Sequence, residues 1–182
     1  MIQDILIPFL AIGLAELGDK TQLAVLCLSS QTKKHLKLFL GIMLAFLIAD
    51  GLAILFGDFI KKFIPSTIIK IVAAIIFIIF GIIFLINHKK EEAKCELKKP
   101  FLSGFSIILF SELGDKTQIA SALFATEFNS FFVLLGVMLA LALLSIAAIY
   151  TGKLLMKKLN RRLISIISGI LFIIIGFIIL FF

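Results

Sequence analysis

Runs of about twenty apolar residues, parted by short gaps that hold most of the charge, constrain this chain more than any other feature. Read in windows of about 19 residues, they fall at 5–29, 36–57, 67–87, 101–126, 130–152 and 163–182. A helix needs about 20 residues to cross a hydrocarbon layer ~30 Å thick, and in lipid only helices and closed barrels satisfy their own backbone. The alternation of a membrane barrel strand is missing. An all-α polytopic membrane protein with six transmembrane helices is therefore predicted. Composition removes the soluble alternative: 62% of the 182 residues are apolar and 16% charged, and a chain of this size has too little interior to hide so much apolar side chain. Disorder, which needs low hydrophobicity, is excluded on the same ground.

The six runs divide into two copies of three. Glu16-Leu17-Gly18-Asp19-Lys20-Thr21-Gln22 recurs unchanged as Glu112-Leu113-Gly114-Asp115-Lys116-Thr117-Gln118, at an offset of 96 residues. At an offset of 95, Gly41, Met43, Gly57 and Gly81 map onto Gly136, Met138, Gly152 and Gly176. This organises the chain as a first three-helix repeat over 1–87, a charged linker over 88–100 and a second repeat over 101–182, all within one membrane domain. An odd number of spans per copy makes the second enter the membrane with the opposite sense. The expected architecture is an inverted-topology repeat, which many secondary transporters share.

Charge placement supports the inversion. The gaps after the first, third and fifth runs hold 13 of the 18 basic residues, among them Lys33, Lys34, Lys37, Lys98, Lys99, Lys153 and Arg162; the opposite side has Lys61 and Lys62. By the positive-inside rule the linker is cytoplasmic and both termini are outside. The net charge of +7 is thus a matter of orientation, and no nucleic-acid partner is expected. The partners are the lipid bilayer and small ions, with oligomerisation open. Cys27 lies in an apolar run and Cys95 in the linker, so they are not expected to bond. The N-terminus has Asp4 where a signal peptide would be basic. Gly41, Ala45, Ala49, Ala53 and Gly57 recur every fourth residue and so share a helix face. That face suits either static close packing or a sliding surface.

The chemistry lies in the two acidic motifs. Glu16 sits 12 residues after Asp4 and Glu112 sits 11 after Phe101, which puts both ~16–18 Å into their spans, near the midplane. Each ionised group there costs several kcal/mol unless it is partnered. On a continuous helix Glu16, Asp19 and Gln22 are spaced i, i+3 and face one way, with the Thr21 hydroxyl beside them; Glu112, Asp115, Thr117 and Gln118 repeat the set. Gly18 and Gly114 are poor helix formers and permit a break that would expose backbone carbonyls. An oxygen-only donor set suits Ca²⁺, Mn²⁺ or Mg²⁺; the lack of His and Cys argues against Zn²⁺ and Cu⁺. Four carboxylates and Lys20 with Lys116 leave a net charge of −2, which one divalent cation or two protons would neutralise. Since burial favours the neutral acid, Glu16, Asp19, Glu112 and Asp115 are expected to couple protons to cation. The lysines are read as structural partners of the acids one turn away, Glu16 with Lys20 and Glu112 with Lys116. Asp50 is one more acid inside a span, with Ser145 as its repeat mate; an accessory ion role and a place in a watery vestibule are both open to it. His35 and His88 read as solvated flanks.

Two other readings need weighing. Asp19 and Asp115 could form the acid pair of an intramembrane hydrolase, though that leaves the second pair of Glu without a use. A cationic amino-acid exporter of related fold would also place acids at the midplane. The duplicated Glu-x-Gly-Asp-Lys-Thr, over essentially the whole chain, resembles the hallmark of uncharacterised protein family 0016, also called the Gdt-one or transmembrane protein 165 family. The resemblance implies a transporter, not an enzyme: a Mn²⁺/Ca²⁺–proton antiporter with no cofactor beyond the transported ion, exporting cation from the cytoplasm by alternating access around a midplane site. By the same resemblance Glu16, Asp19, Glu112 and Asp115 are the essential acids and Thr21 and Thr117 the hydroxyl positions, to which the adjoining Gln22 and Gln118 are added as oxygen ligands. The short linker looks like a prokaryotic plasma-membrane member, and Asp50 is not part of the family pattern.

Overall fold

Helix runs through every one of the six apolar segments, but two of them are broken at the acidic motif. The computed structural model describes residues 2–86, 97–158 and 161–181, with the backbone alone for 151–158 and Arg161. Among the described residues there are eight helices: α1 (Ile2–Glu16), α2 (Lys20–Ser30), α3 (His35–Ile60), α4 (Ser66–Ile86), α5 (Pro100–Glu112), α6 (Lys116–Glu127), α7 (Ser130–Lys158) and α8 (Arg161–Phe181). Four of these are long and apolar enough to cross a membrane: α3, α4, Ser130–Tyr150 of α7 and Arg162–Phe181 of α8. The protein is a polytopic helical membrane protein. The segments 101–126 and 5–29 are each divided into two shorter helices, α5–α6 and α1–α2.

The breaks have a local cause. Gly18 and Gly114 adopt φ of 85° and 80°, the left-handed region that a side chain disfavours and glycine tolerates. Where a helix was expected to end at 152, α7 continues to Lys158, so Lys153, Lys157 and Lys158 lie on helix and not in a loop. Most of the charged linker, 87–96, is outside the described residues, and with it Cys95 and His88. Cys27 is disulfide-bonded; the expectation that it stays apart from Cys95 falls on a residue outside the described ones.

Packing interleaves the two halves. The long helix α3 of the first half lies along α5 and α6 of the second, and α7 of the second lies along α1 and α2 of the first. In lipid the helices have no hydrophobic incentive to associate, so close backbone approach must supply the contact. The small-residue stripes provide it: a Cβ on Gly41 would meet the Phe101 carbonyl, one on Gly57 the Ala122 carbonyl and one on Gly136 the Ile5 carbonyl. Likewise α4 meets α8, where a Cβ on Gly81 would come within 2.7 Å of the Gly169 carbonyl oxygen. Around this contact Phe77 packs on Phe124 and Phe172, with ring centroids 4.8 and 5.6 Å away. The outer surface is lined by exposed Leu52, Leu55, Phe56, Ile71, Leu139, Leu143 and Ile174, a surface made for lipid and not for water.

Candidate cation site

Both helix breaks meet at the centre of the packed bundle. When a helix breaks, its terminal N–H and C=O groups lose their partners, and the motif supplies replacements. The Gly18 N–H donates to Gln22 Oε1 at 3.1 Å, and the Gly114 N–H donates to Gln118 Oε1 at 2.8 Å. Gln118 also donates through Nε2 to the Ala49 carbonyl on α3 at 3.0 Å. These glutamines, expected as ligands, therefore brace the breaks, and one lone pair of each amide oxygen is already in use. Asp19 is the N-cap of α2, its Oδ1 accepting the Lys20 N–H at 2.8 Å; Asp115 stands at the N-cap of α6. The α1 end is held from outside the motif, by Ser168 Oγ of α8 donating to the Leu14 carbonyl at 2.9 Å.

The break gives the lysines partners other than those expected. Lys20 Nζ reaches Asp115 at 3.1 Å and Lys116 Nζ reaches Asp19 at 2.7 Å. The pairing thus runs across the halves, with partners exchanged, and replaces the expected one-turn pairs of Glu16 with Lys20 and Glu112 with Lys116. That pairing presumed a continuous helix from Glu16 to Lys20. With the helix broken at Gly18, Lys20 starts a new helix and no longer lies one turn above Glu16 on the same face. Lys116 Nζ also lies 4.9 Å from the centre of the Phe84 ring.

The acids are deeply placed. Glu16 and Glu112 are each 1% exposed, and Thr21 and Thr117 each 2%. One carboxylate oxygen from each of Glu16, Asp19 and Asp115 lies within 4.8 Å of the others, so the cluster draws acids from both halves; Glu112 stands outside that trio. Thr21 Oγ1 donates to Glu16 Oε2 at 2.8 Å. Among the described residues, four buried oxygens have no hydrogen-bond partner: Glu16 Oε1, Glu112 Oε1, Asp115 Oδ2 and Thr117 Oγ1. Nearly all buried polar atoms in proteins are satisfied, and an unmet one costs about 1–3 kcal/mol. The three carboxylate oxygens among them are acceptors that a cation would satisfy. Both central lysines are already paired with aspartates.

Asp50 was the acid without an assigned place. It is 1% exposed, facing protein and not a vestibule in this structure, and its Oδ1 accepts from Ser121 Oγ of α6 at 2.9 Å. Nothing in the sequence pairs these two; they are neighbours only because α3 packs on α6.

The left-handed breaks can be tested separately from the acids. Gly114 has open space around the position of a Cβ, so Gly114→Ala adds no clash and costs only the backbone conformation, about 1–2 kcal/mol. A thermal unfolding midpoint should fall accordingly. Gly114→Asn, which tolerates this region better, should fall less.

Comparison with known proteins follows the same pattern. The family described as "Divalent cation/proton antiporter GDT1" matches over residues 4–92 and 100–182. A protein named "Putative manganese exporter" from Vibrio cholerae serotype O1 is 31% identical over 169 residues, covering 91% of this chain and 84% of its own length. GDT1-like protein 5 of Oryza sativa subsp. japonica is 28% identical, covering 90% and 88%. GDT1-like protein sll0615 of Synechocystis is 26% identical, covering 90% and 89%. No solved structure matches the chain.

Proposed function

The chain belongs to the GDT1 family of divalent cation/proton antiporters, and from that premise we propose that it exports Mn²⁺ or Ca²⁺ from the cytoplasm in exchange for protons. The family is one of transporters and not of enzymes, so the hydrolase reading of Asp19 and Asp115 falls; each of those acids is also tied to a lysine, whereas a hydrolytic pair must share a water. The observation that carries the proposal is the set of unpartnered buried oxygens on Glu16, Glu112, Asp115 and Thr117, beside a carboxylate trio whose oxygens lie within 4.8 Å of one another. Oxygens at that spacing can close on a single ion with ligand distances of about 2.1–2.6 Å after modest movement.

The residues take the following parts. Glu16, Asp19 and Asp115 hold the cation, Thr21 and Thr117 add hydroxyl oxygens, and Glu112 joins as the halves move. Gln22 and Gln118 keep the two breaks open and offer their remaining lone pairs. Lys20 and Lys116 lower the charge of the empty site to −2, so that one divalent ion and two protons are interchangeable occupants. A site that must always hold one or the other exchanges them, and does not leak either.

In this reading each broken pair, α1–α2 and α5–α6, makes one crossing. That gives six spans in two inverted repeats, with the exchanged lysine–aspartate pairs on the pseudo-two-fold axis. The basic loops place the linker in the cytoplasm and both termini outside, in the plasma membrane of a prokaryote.

Proteoliposomes with an acidic lumen test the function. Mn²⁺ and Ca²⁺ added outside should accumulate in the lumen above their external concentration, driven by protons leaving, and collapse of the gradient with a protonophore should release them. A passive channel would equilibrate the ion and never concentrate it. Accumulation unaffected by the pH gradient would overturn the proposal.

A further inference from the structure

The two copies of the motif are identical, yet the helix that follows each is held differently. On the second-half side, α6 is tied to α3 at successive levels. Gln118 Nε2 donates to the Ala49 carbonyl at 3.0 Å, Ser121 Oγ to Asp50 Oδ1 at 2.9 Å, and Lys61 Nζ to the Ala125 carbonyl at 3.2 Å. Between the last two, Gly57 lies directly on the Ala122 backbone. On the first-half side the matching helices are α2 and α7. The repeat mates of Ala49, Asp50 and Ser121 there are Leu144, Ser145 and Val25. Valine has no donor, so the Ser121–Asp50 bond has no counterpart in any conformation. In its place Gln22, Val25, Leu144 and Ser145 line a cavity that also reaches Glu16 and Thr21.

This difference is written into the sequence and is not a feature of one conformation alone. We infer that the Ser121–Asp50 hydrogen bond is a one-sided latch: it holds α6 on α3, which makes Asp50 a positioning residue for the Glu112 half of the site and leaves the Glu16 half as the one that opens when the latch is closed. The inference rests on the antiport reading and adds to it an unequal pair of gates. The latched face is the one where α3 and α6 end, at Ile60 and Glu127; the unlatched face is the one where α2 ends, at Ser30. A site that rests open toward one face shows a weaker apparent affinity from the other, in proportion to how seldom it opens there.

Ser121→Val and Asp50→Ser give α6 and α3 the residues that the other half already carries, and so remove the latch by symmetrisation. The test measures the KM for Mn²⁺ separately from each face, in proteoliposomes of defined orientation. In both variants the KM from the latched face should fall roughly tenfold, the worth of one such hydrogen bond, while the KM from the unlatched face changes less than about twofold. Asp50→Asn keeps an oxygen that accepts from Ser121 and should restore most of the asymmetry. The converse pair, Val25→Ser with Ser145→Asp, should raise the KM from the α2 face. Equal KM changes from both faces, or none in Ser121→Val, would overturn the latch. Deuterium exchange in nanodiscs gives a reading that does not depend on transport: Ser121→Val should speed exchange severalfold in 118–127 and leave 20–30 unchanged, and a uniform or absent change would contradict the inference. If the wild type fails to concentrate Mn²⁺, the antiport reading fails, and the exchange measurement still decides the latch.

Discussion

Glu16→Gln is expected to abolish cation transport, with kcat/KM falling at least about 100-fold, while the protein still folds. Glutamine keeps the shape of the side chain, and its carbonyl oxygen can still accept from Thr21, which donates to Glu16 Oε2 at 2.8 Å. What it loses is charge at a position 1% exposed, where Oε1 has no other partner. The site then has a net charge of −1, too little to hold a divalent ion against competing protons. Glu112→Gln should act alike, since its Oε1 is also buried without a partner. Transport of Mn²⁺ into acid-lumen vesicles, with a thermal melt as the control for folding, measures both. A melt within a few degrees of the wild type and a lost transport signal is the expected pair of results. Transport within threefold of the wild type in either variant would remove that acid from the site.

The second large effect concerns the exchanged ion pairs. Lys116 sits 2.7 Å from Asp19 and over the Phe84 ring, and the Asp19 side chain is only 9% exposed. Lys116→Met takes the lysine from that aspartate, and breaking a buried pair on one side costs about 3–5 kcal/mol, the lower end applying to a pair whose lysine is 26% exposed. Removing both charges, as Lys116→Met with Asp19→Asn, should recover most of the loss, because no isolated charge remains. Lys20→Met should cost less, since its pair with Asp115 is longer, at 3.1 Å, and more open to water. Unfolding midpoints in nanodiscs of the wild type, Lys116→Met, Asp19→Asn and the double variant test this as a double-mutant cycle, with Lys20→Met measured beside them. Equal losses from Lys116→Met and from the double variant would mean that the two groups are not coupled. The controls Lys116→Met with Glu112→Gln should show no such recovery if the partner is indeed Asp19.

How far the molecule was legible in its sequence differs by feature. The helices were, because a membrane demands a length and a polarity that few other constraints imitate. The breaks were legible as a permission: Gly18 and Gly114 allowed them, but propensity alone could not decide between a continuous helix and two halves. That decision controlled the rest. The spacing of Glu16, Asp19 and Gln22 puts them on one face only if the helix is unbroken. Once the chain turns at φ of 85°, Glu16 and Lys20 are no longer i, i+4 neighbours on one helix, and the lysine finds an aspartate 95 residues away. Gln22 and Gln118 looked like ligands because amide oxygens suit hard cations; their use as braces for Gly18 and Gly114 depends on N–H groups that become free only when the helix breaks. Ser121 carried no signal at all. A single hydroxyl in an apolar helix is ordinary, and its partner Asp50 is on another helix 71 residues earlier. Long-range contacts of that kind depend on how α3 and α6 cross, which follows from where Gly41 and Gly57 let the backbones approach.

The central claim is that cation and protons take turns at one site, and counter-movement of the two measures it directly. Proteoliposomes with equal pH on both sides and a pH dye in the lumen are given Mn²⁺ outside. As the cation enters, protons must leave, and the lumen should turn alkaline with two protons moved per Mn²⁺ taken up, a signal lost in Glu16→Gln and Glu112→Gln. Entry of Mn²⁺ with no change in luminal pH, at a membrane potential clamped to zero, would contradict the account.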